Sequence, residues 1–326
     1  MRIATAVAHP NIALAKYWGK RERPGNYPAV PSVSVTLAGM STKTTVRFDP
    51  ALQSDALVLN GRVATAEPLA RASELLDRVR AECKLSLRAH VESVNDFPTA
   101  SGLASSASGF AALALAASTA LGAPWEVDRI SDAARRSSAS AARSLFGGFV
   151  RLDAGSPGGD VTELLAARPI AAADHIDIRV LVCVTSEAEK DVSSRNGMNI
   201  TAKTSPFYAA WVEDAPRVTD DLERALVAKD VAKVGELMER STFAMHASAF
   251  AAGVRYMRPA TLAVLDEVLA LRARGIGAWA TMDAGPHVKV FVAAWDAAAA
   301  RSHLEKTSGV LRLIEARPGG PATVAP

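Results

Sequence analysis

The sequence predicts a mixed α+β or α/β fold, on three observations. Short alternating strands crowd the first part of the chain, a strand then runs through a loop of small residues into an uncharged helix, and helical stretches with a late strand–turn–strand fill the second half. Strands first, then strand–loop–helix, are layered around a sheet in such folds. At 326 residues the chain can form two domains or one large one with a substantial core.

Residues 2–8 alternate weakly and read as the first strand. Residues 33–37 and 42–48 alternate like a pair of strands, and residues 56–63 contain an Asn60-Gly61 hairpin turn. Leu and Val at helical spacing predict a helix over 67–84, and residues 85–94 return as a strand. That strand delivers the chain into Asn95-Asp96-Phe97-Pro98-Thr99-Ala100-Ser101-Gly102-Leu103-Ala104-Ser105-Ser106, where a helix from Gly102 to about Leu121 is expected. A helix N-terminus has unpaired N–H groups and a partial positive charge, which favours an anion. The small side chains of Ser101, Gly102 and Ala104 let the backbone approach it, while Ser105 and Ser106 add hydroxyl donors and metal-facing oxygens. On local composition a polyphosphate cradle and a plain, tightly packed buried helix fit equally. No residue between Asp96 and Glu126 is charged, yet Ala, Ser and Gly dominate rather than Leu and Phe, which argues against a membrane span.

Before that helix, Lys16-Tyr17-Trp18-Gly19-Lys20-Arg21 sets three cations and two aromatics beside an apolar run, as a rim of positive charge facing an anionic substrate would. Asn11 and Gly19 have no evident packing purpose there. After it, residues 128–140 begin as a helix with Ile130, Ala133 and Ala134 inward. The stretch from Ser137 through Ser138, Ser140, Arg143 and Ser144 to Phe149 is a poor helix interior. Arg143 could grip a carboxylate or phosphate through two parallel bonds, or pair with a surface acid. Residues 153–160 read as an exposed turn and 176–184 as the strongest strand, with a domain change just before it. Residues 187–198 form either a loop over a site or a surface connection. Helices are expected at 206–213, 218–228, 231–247 and 260–274, and residues 275–291 read as strand–turn–strand. Asp283 is the one acid of that last stretch; at a turn, Asp commonly bonds its own backbone. Residues 317–326, rich in Pro and Gly, read as a disordered tail.

Composition narrows the function. Hydrophobic content of 49% and charged content of 22% describe an ordinary globular chain, and a net charge of +3 is too slight to argue for nucleic acid. The two cysteines, Cys83 and Cys183, lie outside any C-x-x-C pattern, and the N-terminus lacks a long apolar run with a cleavage site, so a cytoplasmic chain with free thiols is expected. There is no G-x-G-x-x-G, G-x-x-x-x-G-K-[ST] or G-x-S-x-G, and the six histidines show no metal-ligand spacing. His246 reads as a structural residue on a helix.

Taken together, five ordered segments carry a resemblance. Pro98 to Ala107 resembles the phosphate loop of the GHMP small-molecule kinases. Asn11-Ile12-Ala13 with Lys16 to Arg21, Ser138 to Gly148, Lys190-Asp191-Val192-Ser193-Ser194 followed by Gly197-Met198 and Thr204 to Phe207, and Met282-Asp283-Ala284-Gly285-Pro286 resemble the diphosphomevalonate decarboxylases within that superfamily. The likeness runs from about residue 8 to 291. It implies two-layer α/β sandwiches: an N-terminal ATP-binding domain over 1–175 and a C-terminal α/β domain over 176–326, sharing a central cleft. It also implies ATP-dependent decarboxylation of mevalonate 5-diphosphate to isopentenyl diphosphate, as in isoprenoid biosynthesis, with ATP and Mg²⁺ and commonly as a homodimer; no nucleic-acid or membrane partner is expected. The alternative is a decarboxylase or 3-kinase of the same fold acting on mevalonate or its monophosphate.

By the same resemblance Asp283, Lys16 and Arg143 are the catalytic candidates. Tyr17, Lys20, Ser138, Ser140, Ser193 and Ser194, with Arg143, would bind the substrate. Asn11, Pro98, Ser101, Gly102, Leu103, Ala104, Ser105 and Ser106 would serve the nucleotide, Ser105 and Ser106 also facing the metal. The chain departs from the family pattern at Val30-Pro31, at His287 where Asn is usual, and at Ala252-Gly253-Val254 where Pro-Pro is usual.

Overall fold

The computed structural model describes residues 2–97, 105–188 and 191–325. In chain order the strands and helices begin with β1 (Arg2–Ala8), β2 (Asn11–Ala15), β3 (Ser32–Thr36), β4 (Thr42–Asp49), β5 (Ala56–Leu59) and β6 (Arg62–Val63). Then come α1 (Ala66–Cys83), β7 (Arg88–Asn95), α2 (Ser105–Leu121), α3 (Val127–Ser137), a 3₁₀ segment (Ala139–Leu145), β8 (Phe149–Leu152), β9 (Ala167–Ala171) and β10 (Ile178–Val184). The second half adds α4 (Ser194–Thr204), α5 (Tyr208–Val227), α6 (Val231–Ala251), α7 (Pro259–Ala273), β11 (Ala278–Thr281), β12 (Val288–Ala293), α8 (Ala297–Leu304), β13 (Arg312–Ala316) and β14 (Thr323–Ala325).

Among the described residues these strands form three sheets. The first has the order β14-β1-β4-β7-β5-β6, the second β2-β3-β8-β9 and the third β11-β12-β10-β13. Alternation along β4 explains the first layer: Thr42, Thr44, Val46 and Phe48 turn inward, toward α2. The small residues of α2 let it lie close on β1 and β4, and Ala111, Ala112, Ala114, Ala116 and Ala117 are all buried there. Helix α1 adds Ala72, Leu75, Leu76 and Val79, the spacing of a single helical face. The second core lies where β2, β3 and β10 meet α5 and α6, and the third where α7 and α8 cover the opposite face of β10 and β12.

Three expectations are corrected. Residues 33–37 and 42–48 do not pair: β3 joins β2 and β8, whereas β4 joins β1 and β7, the chain changing sheets through Gly39 at φ 83°. The helices expected at 206–213 and 218–228 are one helix, α5, continuing through Pro216. Proline forfeits one backbone bond there, and the burial of Trp211, Ala215, Val218 and Leu222 along one face offsets it. The expected disordered tail is ordered. Thr323–Ala325 pairs antiparallel with β1, and Gly319 receives from Gly148 N–H (2.9 Å) and donates to Thr36 O (2.8 Å). Backbone pairing needs no side chain, so a Pro/Gly composition concealed it.

The hairpin at Asn60-Gly61 is present, with φ of 48° and 76°. Gly19 has a packing purpose after all: φ is 99°, and a Cβ there would fall 1.8 Å from the Tyr208 hydroxyl.

Because the tail is a sheet edge, removing residues 318–326 should lower the melting temperature by about 2–8 °C, the effect of losing roughly 1–2 kcal/mol in a domain of about 150–250 residues. A melting curve superimposable on that of the full chain would refute a structural tail.

Candidate active site

The turn after β11 brings Asp283 between two lysines. Nζ of Lys16, just past β2, donates to Oδ1 at 2.8 Å, and Nζ of Lys289, on β12, lies 3.1 Å from Oδ2. Both lysine side chains are sealed from solvent, while the carboxylate side chain remains 27% accessible. Burial alone would raise the pKa of Asp283, but Lys16 and Lys289 outweigh it and hold the carboxyl well below the usual carboxylate range. Burial pushes Lys16 down to about 8, with Asp283 opposing that effect and Lys289 and Arg143 adding to it. His246, on α6, sits beneath the turn with Nε2 3.4 Å from Met282 O, and burial pushes it down to about 4, so it is neutral, as a structural histidine should be.

Arg143 ends the 3₁₀ segment with its guanidinium buried. Nε donates to Ser34 Oγ at 2.9 Å, Nη1 to Ser32 Oγ at 2.6 Å and Nη2 to Asn11 Oδ1 at 3.4 Å. No carboxylate pairs with it among the described residues, so the surface ion pair is not what this arginine makes. Burial lowers its pKa to about 10, the Asp283 charge opposing. A buried cation held only by neutral groups leaves charge to be neutralised, which is the character of an anion seat.

Asn11, expected at the nucleotide, has its amide bonded within the protein: Nδ2 donates to Ser140 O (2.9 Å) and Ser144 Oγ (2.7 Å), and Oδ1 receives Arg143. It braces the arginine.

A second positive group lies beyond Arg143. Lys20 is pushed down to about 8 by burial, and by the charges of Arg195 and Arg71. Its Nζ donates to Asn26 Oδ1 at 2.5 Å, and Asn26 in turn donates to the Arg136 carbonyl at the end of α3. The Ser138 and Ser140 hydroxyls face each other at 3.2 Å. The Tyr17 hydroxyl is buried without a partner among the described residues, and burial drives its pKa well above the ordinary phenol value while Arg143 and Arg195 pull it down. Ser193 caps α4 by accepting from Asn196 N–H at 3.2 Å, placing Ser193, Ser194 and Arg195 at a helix N-terminus.

Arg71 connects this group to a cavity of about 620 Å³. It donates to Ser137 O at 2.8 Å and stacks 4.6 Å over Phe110. Leu57, Val91, Phe110 and Leu113 give the cavity apolar walls; Asn60, Arg62, Ser93 and Asn95 give it polar ones; and Ser105 and Ser106 line it from the start of α2. A nucleoside with its phosphates toward the helix tip fits such a space. Pro98, Ser101, Gly102, Leu103 and Ala104 lie outside the described residues, as does Lys190. For Mg²⁺, the described residues hold no group of three His, Cys, Asp or Glu side chains. Hydroxyls such as those of Ser105 and Ser106 still suit an ion that keeps its waters and binds mainly through a nucleotide's phosphates.

The departure at His287 is satisfied on one side of the ring, Nε2 being buried without a partner among the described residues. Nδ1 of this buried ring accepts from Thr185 N–H at 3.2 Å, and burial pushes it down to about 4, so a neutral ring ties β10 to the Asp283 turn. Sequence reasoning missed Lys289, Ser32, Ser34, Arg71 and Arg195. One signal was visible: a lysine flanked by valines in an otherwise apolar strand.

Comparison with known proteins identifies the family and agrees with the fold. A family model described as diphosphomevalonate decarboxylase-like N-terminal domain matches residues 8–162, and one described as mevalonate 5-diphosphate decarboxylase C-terminal domain matches residues 180–313. The diphosphomevalonate decarboxylase of Candida albicans is 33% identical over 308 residues, covering 89% of this chain and 84% of that protein. That of Ganoderma lucidum is 36% identical over 313 residues, covering 88% and 78%. Among solved structures, mevalonate diphosphate decarboxylase from Staphylococcus aureus superposes with a TM-score of 0.92 at 32% identity, covering 100% of this chain and 98% of that one. A complex of MDDEF with MVAPP, AMPPCP and magnesium superposes with a TM-score of 0.91 at 37% identity over 99% of each chain. The chain belongs to the diphosphomevalonate decarboxylase family.

Proposed function

We propose that this chain catalyses the ATP-dependent decarboxylation of mevalonate 5-diphosphate to isopentenyl diphosphate, releasing ADP, phosphate and carbon dioxide. The observation that carries the reading is the 2.8 Å pair between Lys16 and Asp283, set beside an arginine that lacks a carboxylate partner among the described residues. Relatives bearing the decarboxylase name, and the MDDEF complex with its substrate, ATP analogue and magnesium, support it.

Hydroxide is a poor leaving group and phosphate a good one, so transfer of a phosphoryl group to the tertiary 3-hydroxyl prepares the elimination. Asp283 accepts a hydrogen bond from that hydroxyl. With its carboxyl held below the usual range it is a weak base, and its main work is to aim the oxygen. Lys16 keeps Asp283 ionised and offsets charge on the moving phosphoryl group. Arg143 grips the substrate carboxylate. Tight ground-state binding of a group about to leave as carbon dioxide would oppose catalysis, so Arg143 acts by positioning. Tyr17, Lys20, Ser138, Ser140, Ser193 and Ser194 hold the 5-diphosphate. Ser105 and Ser106, with the loop before them, hold the phosphates of ATP with Mg²⁺, and that ion supplies charge neutralisation.

The family resemblance further supports a homodimer and two domains divided near residue 175. The free thiols of Cys83 and Cys183 support a cytoplasmic setting, and no helix among the described residues is long and apolar enough to cross a membrane.

Carbon dioxide release, measured with mevalonate, its 5-phosphate and its 5-diphosphate, should be fastest with the diphosphate; release from mevalonate or its monophosphate alone would favour the alternative substrate. Asp283→Ala should lose about 10² to 10⁴ in kcat while still binding ATP. Near-normal turnover in that variant would remove Asp283 from the mechanism. The pH profile gives a further test. Lys16 and Lys20 are each cationic below about pH 8 and neutral above it, so the charge that receives the substrate is present at low pH and lost as pH rises. Hence kcat/KM should fall on the basic side near pH 8 more steeply than one proton allows, and Lys20→Met should reduce the slope to a single proton. A flat profile to pH 10 would contradict the assignment.

A further inference from the structure

The buried cation on β12 is not needed by the sheet that carries it. Val288, Val290 and Val292 face the core beneath α7 and α8, while Lys289 shares the opposite face with Phe291, which packs with Val180, Val182 and Trp279. The Lys289 side chain is 1% exposed. Sealing an ammonium group among such neighbours costs several kcal/mol, and a buried ion pair replaced whole by apolar residues of similar size is often as stable or more so. A strand selected for stability alone would carry one here.

What the ammonium group does is visible at the turn. Lys16, which follows β2, donates a hydrogen bond to Oδ1 of Asp283, while the Lys289 ammonium on β12 lies 3.1 Å from Oδ2 as an ion pair that meets no hydrogen-bond geometry. One lysine alone would let the carboxylate swing about its Cβ–Cγ bond. A cation facing each oxygen, the two carried by elements of different sheets, opposes that rotation. The groups facing Asp283 are then Lys16 from the end of β2, Lys289 from β12, Arg143 from the 3₁₀ segment and neutral His246 from α6.

We propose that Lys289 is a positioning residue for the reaction: by holding the second oxygen of Asp283 it locks the carboxylate's plane toward the substrate hydroxyl. The kinetic consequence rests on the reaction proposed above; the effect on the carboxylate itself does not. In this arrangement Lys289 acts on the substrate hydroxyl through Asp283, whose carboxylate orients it.

The test compares Lys289→Met, Lys289→Gln and Lys289→Arg with the parent enzyme. Methionine should fold, since it fills the site without charge, and glutamine provides a second neutral variant if it does not. In either neutral variant kcat for mevalonate 5-diphosphate should fall on the order of 10²-fold, with KM for ATP little changed. The acid limb of the kcat profile should move up by about 1 to 3 pH units, because one of the two cations lowering the Asp283 pKa is gone. Arginine should restore most of both. Independently of turnover, the carboxyl ¹³C resonance of Asp283, assigned with Asp283→Asn, should stay flat on acidification in the parent and titrate at higher pH in Lys289→Met. A parent that releases no carbon dioxide defeats the proposed reaction and leaves this resonance to decide the role of Lys289. A Lys289→Met protein whose resonance matches the parent's, or whose kcat and acid limb do, overturns the inference.

Discussion

The structure depends on keeping an excess of buried positive charge beside one carboxylate. Lys16, Lys289 and Arg143 are all buried, and Asp283 is the acid they share. Three cations against one anion would be unstable in an apolar interior without help. The help is dipolar. Lys16 also donates to Ala13 O at 3.0 Å, while Ser32, Ser34 and Asn11 take the three nitrogens of the guanidinium. These neutral partners make the charge tolerable without cancelling it, so the site keeps its attraction for an anion. Three apolar cores around it supply the stability that this arrangement gives up.

Distance control comes from stitches between elements far apart in the chain. The backbone N–H of Lys16 donates to Ser241 Oγ on α6 at 2.9 Å, and Thr281 Oγ1 on β11 donates to Ala13 O at 3.1 Å. Thr242 and Thr281 meet through their hydroxyls at 3.1 Å. The end of β2, the middle of α6 and the strand leading to Asp283 are therefore held in one bonded set. The Lys16–Asp283 separation follows from that set rather than from the ion pair alone. Both residues lie just beyond strand ends, so their placement comes from these bonds to α6 and between the strands, which fix them more closely than free loops would.

Much of this was legible before any coordinates. Lys16, Arg143 and Asp283 stand in segments whose composition is odd for surface or core, and their order along the chain carried the family resemblance. The amphipathic spacing of α1, the Asn60-Gly61 turn and strand β10 follow from periodicity and turn chemistry. What escaped was information held between segments. Ser32 and Ser34 look like the polar positions of an ordinary alternating strand until β8 and the 3₁₀ segment bring Arg143 against them. Lys289 is a single charge in an apolar run, and nothing local says which carboxylate it meets. The nucleotide role of Asn11 came from the resemblance alone, and nothing local in the sequence says that its amide meets Ser140, Ser144 and Arg143. The 317–326 tail failed for a related reason: its contribution is made by backbone groups, to which composition is blind.

The two positive groups differ in a way that bears on how binding is used. Around Asp283 the lysines are sealed and their geometry is set before any ligand arrives. Around Lys20, Arg71 and Arg195 the cations repel one another at a half-buried surface, with Lys20 moored through Asn26 to the end of α3. Relief of that repulsion by a multiply charged tail is strong and tolerant of small displacements, whereas the sealed centre is strict about position. Energy gained at the tail can then hold the reacting carbon against Asp283. Under the proposed reaction, a diphosphate that takes no chemical part would supply attraction at the Lys20 group, and the lysines around Asp283 would turn that attraction into orientation.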